Sequence, residues 1–292
     1  MRDLDDRVPG AQAVLRELYA AAGRAHVVGI TGPAGCGKST LADQLLEAAR
    51  KEGQKVGVVA VDPTSHISGG AVLGDRVRMQ RHARDPRVFI RSLASRGSLG
   101  GLSRSVFDTV TVLDSMGKDL ILVETAGVGQ DGVKVAGAAH TVLVVLAPGL
   151  GDEVQAIKAG VLEIGDIYVV NKGDRSGCEP LLRSLRWALE GKPCEVVKTC
   201  ARTGAGVGPL FKLIAEHRSA LQAGAGWQER SRGMARAAFL ERLEAGMKET
   251  LSGRLRREKS LQKLQEDLAC RRTDPDTAAR RALRELIKRG QR

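Results

Sequence analysis

Aromatic residues are scarce in this 292-residue chain, at 3% of the total. A core must then come from Val, Leu, Ile and Ala, which favours buried parallel strands under helices over an aromatic-rich sandwich. The five cysteines, Cys36, Cys178, Cys194, Cys200 and Cys270, include no C-x-x-C pair and no disulfide-framework spacing. They read as small buried hydrophobes in a reducing compartment. His26, His66, His82, His140 and His217 are equally scattered, so neither a zinc nor a nickel site is expected. No apolar run approaches the roughly 20 residues needed to cross a bilayer. The opening MRDLDDRVPG carries acids rather than a secretory or transit leader. Together these absences predict a cytoplasmic protein with no membrane association, and the sequence holds no internal repeat or low-complexity linker.

The formal net charge is +12, which invites a nucleic-acid reading until its location is considered. Residues 224–292 hold 18 Lys and Arg against 10 Asp and Glu, so most of the surplus sits in the tail. That tail lacks interleaved aromatics for base stacking, and its charge reads as a solvated helical face, so no nucleic-acid partner is expected.

Along the chain, residues 10–23 have helical apolar spacing closed by a glycine. Apolar, β-branched runs then recur as HVVGIT, KVGVVAVDP, RVFIRSL, DLILVETAG, HTVLVVLAP, IGDIYVVNKGD and CEVVKTCART. Helical stretches at 101–117, 153–164, 179–190 and 207–222 lie between them. Strand and helix alternate, and the strands are nearly continuous in apolar residues, so an α/β fold with a mostly parallel sheet covered by helices is expected. From about residue 226 only helix formers remain, ending in a last helix near 277–289. The predicted organisation is a helical lead-in over 1–23, an α/β domain over 24–222 and a helical extension over 223–292.

The chemistry begins at GPAGCGKS, which comprises Gly32, Pro33, Ala34, Gly35, Cys36, Gly37, Lys38 and Ser39, with Thr40 next in the following helix. The pattern G-x-x-x-x-G-K-[ST] between a strand and a helix is a P-loop. Its glycines turn backbone N–H groups toward phosphate oxygens, Lys38 reaches the β and γ phosphates, and the Ser39 hydroxyl serves Mg²⁺. At a later strand end, Asn171, Lys172 and Asp174 form Asn-Lys-x-Asp. A carboxylate there accepts both N–H groups of the guanine edge, whereas adenine presents an acceptor at one of those positions. Cys200, Ala201 and Arg202 follow the next strand, where a backbone contact to the base is expected. The nucleotide is therefore GTP or GDP. Asp62, Asp75 and Glu124 are the candidate carboxylates for Mg²⁺, which needs few because it keeps several waters. In ETAGVGQDG, the Gly127 N–H is placed to sense the γ-phosphate. The next residue is Val128, which cannot orient a water as the Gln of other GTPases does.

These segments, with FIRSLASRGSLGGLSR, APGLGDEVQAIKAGVLEIGDIYVVNKGD and the acidic-proline turn near DPDTAARRAL, together resemble the MeaB/ArgK/MMAA family. Those proteins are G-protein chaperones of adenosylcobalamin-dependent acyl-CoA mutases, in the SIMIBI class of P-loop NTPases. The resemblance runs from about residue 10 to the end and is most specific over 24–175. It implies a GTPase that binds a cobalamin-dependent mutase of the methylmalonyl-CoA mutase type, gates cofactor loading and protects the holoenzyme. It also implies a homodimer built with the C-terminal helices, and nucleotide-responsive switches at 62–80 and 124–135. Gln130 and Asp131 fall in the second switch; the family's usual acid two places beyond the Gln is Gly132 here, which leaves Asp131 to cover it. By the same resemblance PGLGDEVQAIK is a mobile loop that addresses the mutase, with Asp152, Glu153, Gln155 and Lys158 as its functional residues. Lys38, Glu124, Gln155 and Lys158 are then the catalytic candidates, with slow intrinsic turnover accelerated when a mutase moves Gln155 or Lys158 toward the γ-phosphate. Two alternatives stand beside this reading: a SIMIBI GTPase that serves another metallocofactor insertion, and a nucleic-acid-associated GTPase.

Overall fold

The computed structural model describes residues 1, 4, 8–62, 79–94, 104–125, 127, 134–149 and 161–289. Seven strands form one sheet: β1 (His26–Thr31), β2 (Val56–Asp62), β3 (Val88–Ala94), β4 (Leu120–Glu124), β5 (Thr141–Leu146), β6 (Ile167–Val170) and β7 (Glu195–Lys198). Their spatial order is β3-β2-β4-β1-β5-β6-β7, and every neighbouring pair is parallel. β1, β4, β5 and β6 are buried at every position, which explains why their sequences are unbroken apolar runs rather than alternations.

Helices cover both faces. On one, α2 (Lys38–Lys51) and α5 (Val207–Ala223) send Leu41, Leu45, Leu46, Leu210 and Ile214 against Val28, Ile30, Val58, Leu122, Leu143 and Val145. On the other, α3 (Arg104–Ser115) and α4 (Cys178–Ala188) send Val106, Leu113, Leu182 and Leu185 against Val27, Val59, Ile121, Val123, Val144 and Val170. Successive strand residues thus feed opposite cores, as the pleat requires. The N-terminal helix α1 (Ala11–Ala21) buries Leu15 beside Leu4 and Val112. Just after it, the Asp114 carboxylate accepts the backbone N–H groups of Gly23 (2.7 Å), Arg24 (3.1 Å) and Ala25 (3.1 Å), pinning the chain where it turns into β1.

At the N-terminal edge of the sheet lies a buried polar network. The Thr141 hydroxyl sits 2.7 Å from His26 Nε2 and 2.8 Å from His217 Nδ1. His140 Nδ1 accepts the Val27 N–H at 3.1 Å, its ring stacks on Trp227 at 4.0 Å, and its Nε2 faces the Ser231 hydroxyl at 3.3 Å. Asp166 accepts from the Val142 N–H and pairs with Arg230. The network joins β1 and β5 to α5 and to the first turns of α6 (Gly226–Arg257).

The chain forms two compact units, residues 1–238 and 239–292. The second holds the remainder of α6, then α7 (Lys259–Ala269), which buries Leu261, and α8 (Pro275–Arg289). In α8, Asp274 caps the helix by accepting the Thr277 N–H at 2.9 Å. The expected strands and most of the expected helices are present, but 161–163 is a 3₁₀ turn at the end of the stretch read as a helix, whose earlier residues lie outside the described ones. Three of the cysteines are buried, as expected of small hydrophobes, whereas Cys194 is half-buried and Cys270 is exposed on the helical extension. Among the described residues, no helix is long and apolar enough to cross a membrane.

Candidate functional site: a guanine-nucleotide cleft

The P-loop leaves the C-terminal end of β1, the central strand, where the crossovers to β2 and β5 run to opposite sides. Such a reversal opens a crevice at the carboxyl ends of the strands. Gly32 (φ +150) lies so close to β5 that a Cβ would overlap the Val145 carbonyl oxygen, and at Gly37 (φ +94) a Cβ would come within 2.5 Å of Asn171 Nδ2. Only glycine fits either position, so the loop wraps tightly and α2 starts with its N-terminus at the cleft. Lys38 is buried, and its ammonium donates to the Gly32 carbonyl (2.9 Å) and the Pro33 carbonyl (3.0 Å), which holds it over the loop's own backbone. Burial among these glycines raises the Cys36 thiol pKa, so this cysteine stays a protonated packing group.

Beside the loop, the Ser39 hydroxyl donates to Glu124 Oε1 at 2.7 Å, and both residues are buried. Glu124 ends β4 in register with Ala60, two residues before Asp62 at the end of β2. Glu124 and Asp62 thus stand at the carboxyl ends of neighbouring strands, and the Asp62 side chain is outside the described ones. Beyond Glu124, the Thr125 hydroxyl lies 3.2 Å from both the Thr31 hydroxyl and the Gly127 carbonyl, to which Thr31 also donates (3.3 Å). The turn at Gly127 is thus tied to the end of β1 by two threonines. Sequence reasoning passed over this pair because a Thr at a strand end carries no motif signal.

The candidate base recess is built by a second pair of loops. Asn171 is almost fully buried and acts as a three-way brace. Its Nδ2 donates to the Cys36 carbonyl in the P-loop (2.9 Å), and its Oδ1 accepts from the Thr199 hydroxyl (3.1 Å) and the Ala201 N–H (3.0 Å). Lys172 takes φ +57, a left-handed conformation that costs a non-glycine residue about 1–2 kcal/mol and tends to mark functional turns. Asp174 is exposed and accepts from the Cys200 thiol at Oδ1 (3.2 Å) and from Arg202 at Oδ2 (3.1 Å). The thiol bond and then the guanidinium hold its carboxyl below the usual carboxylate range. A cavity of about 160 Å³ is lined by Gly37 and Thr40 of the P-loop, by Asn171, Lys172, Asp174 and Arg175, and by Cys200, Ala201 and Arg202. Three segments far apart in sequence thereby share one recess. The structure does not extend to the remaining candidates: Asp75, Gln130, Asp131, Asp152, Glu153, Gln155 and Lys158 all lie outside the described residues, as does Val128.

Comparison with known proteins agrees with this geometry. Residues 4–257 match the family model described as methylmalonyl-CoA mutase-associated GTPase MeaB. The chain is 51% identical over 221 residues to a Pyrococcus horikoshii protein named "Putative GTPase", an alignment that covers 73% of this chain and 70% of that protein. It is 40% identical over 163 residues to the Caenorhabditis elegans methylmalonic aciduria type A homolog, covering 54% of this chain and 41% of the relative. Among solved structures, a LAO/AO transport system kinase superposes with a TM-score of 0.69 at 23% identity, covering 97% of this chain and 89% of that one. HypB of Helicobacter pylori in complex with nickel follows at 0.51 and 16%, covering 72% and 94%. Likeness at those identities speaks for the fold, a P-loop GTPase sheet. The family match, together with the P-loop and the base recess, makes the chain a GTP-hydrolysing member of the MeaB family of methylmalonyl-CoA mutase-associated GTPases.

Proposed function

We propose that this GTPase is the chaperone of a cobalamin-dependent acyl-CoA mutase of the methylmalonyl-CoA mutase type, coupling GTP binding and hydrolysis to adenosylcobalamin loading and to protection of the mutase. The observation that carries the reading is the match of residues 4–257 to a family described as mutase-associated, on a chain that also carries the P-loop and Asn-Lys-x-Asp motifs. The C. elegans relative, named for methylmalonic aciduria, points the same way.

In this reading the P-loop amides and Lys38 bind the β and γ phosphates, and the Asp174 carboxylate accepts the two N–H groups of the guanine edge. Ser39 and Glu124 would hold Mg²⁺, with Asp62 and Asp75 as further candidates. A hydroxyl and a carboxylate are hard oxygen donors that suit this ion, which takes few protein ligands and keeps its waters. The metal neutralises charge that develops on the phosphoryl oxygens. Glu124, buried against Ser39, keeps that donor pair in place. Gly127 faces the same end of the cleft, with its carbonyl fixed by Thr31 and Thr125, and its N–H is assigned to sensing the γ-phosphate. Val128 offers no group to orient water, so intrinsic turnover is slow and the mutase supplies the acceleration through Gln155 or Lys158. Gln130, Asp131, Asp152 and Glu153 report the nucleotide state to the partner.

The helical extension serves homodimerisation. Phe239, Leu240, Leu243, Met247 and Leu251 recur along one stretch of α6 and are all exposed, an apolar stripe of the kind that a second helix covers. The test of the whole reading is a pull-down against purified cobalamin-dependent mutases with GTP or GDP, using Lys172→Ala and Lys158→Ala as controls. Nucleotide-dependent capture that these variants weaken is the expected result; indifference of every mutase to the protein in both nucleotide states would remove the chaperone role.

A further inference from the structure

The Watson–Crick edge of guanine, N1–H and the exocyclic amine on one carbon, is chemically a cyclic guanidine. Arginine carries the same planar fork of donors, and a carboxylate accepts either one. In this protein the carboxylate assigned to the base, Asp174, already meets one arm of such a fork from its own chain: Arg202 Nη2 donates to Oδ2 at 3.1 Å. The other oxygen, Oδ1, is engaged by the Cys200 thiol at 3.2 Å. Arg202 also lines the recess that the base must enter.

We propose that Arg202 is a built-in mimic of the guanine edge, which occupies Asp174 in the nucleotide-free site and must be displaced when GTP or GDP enters. The inference rests on the assignment of Asp174 to guanine. The thiol at Oδ1 is a weak donor and gives way or shares its oxygen readily, whereas the guanidinium at Oδ2 is a charged donor that the base has to displace. Arg202 is mostly exposed, so solvent screens the pair and its hold is modest. A self-contact of that strength lowers the apparent guanine affinity by up to about five-fold, the range measured for exposed ion pairs. Its consequence is a lowered affinity shared by every nucleotide that has to displace the pair, GTP and GDP alike.

The test is GDP binding by calorimetry and stopped flow, made on the full chain. Arg202→Ala is expected to bind GDP two- to five-fold more tightly, with the gain in association rate, even though it removes a positive charge from the recess. A double-mutant comparison isolates the contact. In an Asp174→Asn background, where an amide replaces the carboxylate and xanthosine diphosphate replaces GDP as the matched ligand, Arg202→Ala should bring no gain. Unchanged or weaker GDP binding by Arg202→Ala, with Asp174→Asn still weakening GDP, overturns the mimicry and leaves the guanine assignment standing. If Asp174→Asn leaves GDP binding intact, the guanine assignment fails and the mimicry falls with it.

Discussion

The Ser39 hydroxyl donates to Glu124 Oε1 at 2.7 Å, which ties the start of the P-loop helix to the end of β4. The two residues are 85 positions apart in sequence, yet they form one buried donor pair beside the phosphate loop. If that pair holds Mg²⁺, Ser39→Ala and Glu124→Gln should each raise the Mg²⁺ concentration needed for half-maximal GTP hydrolysis by tenfold or more, while GDP affinity without Mg²⁺ changes little. Titration of Mg²⁺ against rate reads this directly, and an unshifted midpoint in both variants would remove the pair from the metal site.

Asn171 has a second role beyond any contact with the base. It braces the Cys36 carbonyl in the P-loop, the Thr199 hydroxyl and the Ala201 N–H from an almost fully buried position. Asn171→Ala strands these groups, at a cost of about 1–3 kcal/mol. Urea unfolding of the nucleotide-free variant should show that loss. Unchanged stability with weakened GTP binding would mean that Asn171 acts on the ligand alone.

Both halves of the site differ in how far the residues themselves announce it. The P-loop and Asn-Lys-x-Asp are visible because phosphate wrapping and guanine pairing each demand particular residues at fixed spacing. The strands are visible because burial on both faces forces unbroken runs such as TVLVVL. The brace from Asn171 to Cys36 spans 135 positions, and the threonine clamp on Gly127 joins residues 31 and 125, so neither leaves a local pattern. Asp114, which pins three amides ahead of β1, reads in sequence as one more polar residue at a helix end. α6 runs 32 residues past Gly233, Gly246 and Gly253, glycines that local propensity alone would take as candidate stops.

The histidine network gives the fold an acid limit. Burial, then neighbouring His140, Arg218 and His217, lower the His26 pKa from 6.5 to about 3. Burial lowers that of His140 to about 4, with Arg218 and Arg230 adding to the shift against an opposing Asp114. Geometry agrees, because the Val27 N–H points at His140 Nδ1 and requires that nitrogen to be unprotonated. The unfolded chain binds these protons below pH 6.5 while the folded one does not. The contribution is therefore complete above pH 6.5 and is lost as pH falls from there toward 4 and 3, at about 1.4 kcal/mol per pH unit for each histidine. Urea midpoints between pH 7.5 and 5 should fall accordingly, and His140→Gln should flatten the slope. A midpoint independent of pH over that range would contradict the assignment.

The stripe on α6 makes a prediction about assembly. Met247 and Leu243 are exposed, so a charge there leaves the folded unit intact but cannot be covered by a second apolar helix. Leu243→Glu with Met247→Glu should shift the protein from dimer to monomer in sedimentation at micromolar concentration, with GDP binding retained. A double variant that sediments as the parent does would assign the stripe to something other than self-association.

In the proposed function the mutase completes the catalytic site of a slow GTPase. The direct measurement is single-turnover GTP hydrolysis by the full chain, alone and with a stoichiometric cobalamin-dependent mutase of the methylmalonyl-CoA type. The expected result is a slow rate alone and at least a tenfold acceleration with the mutase, abolished by Lys158→Ala together with Gln155→Ala. A rate that is already fast without a partner, or one that no such mutase changes, would contradict it.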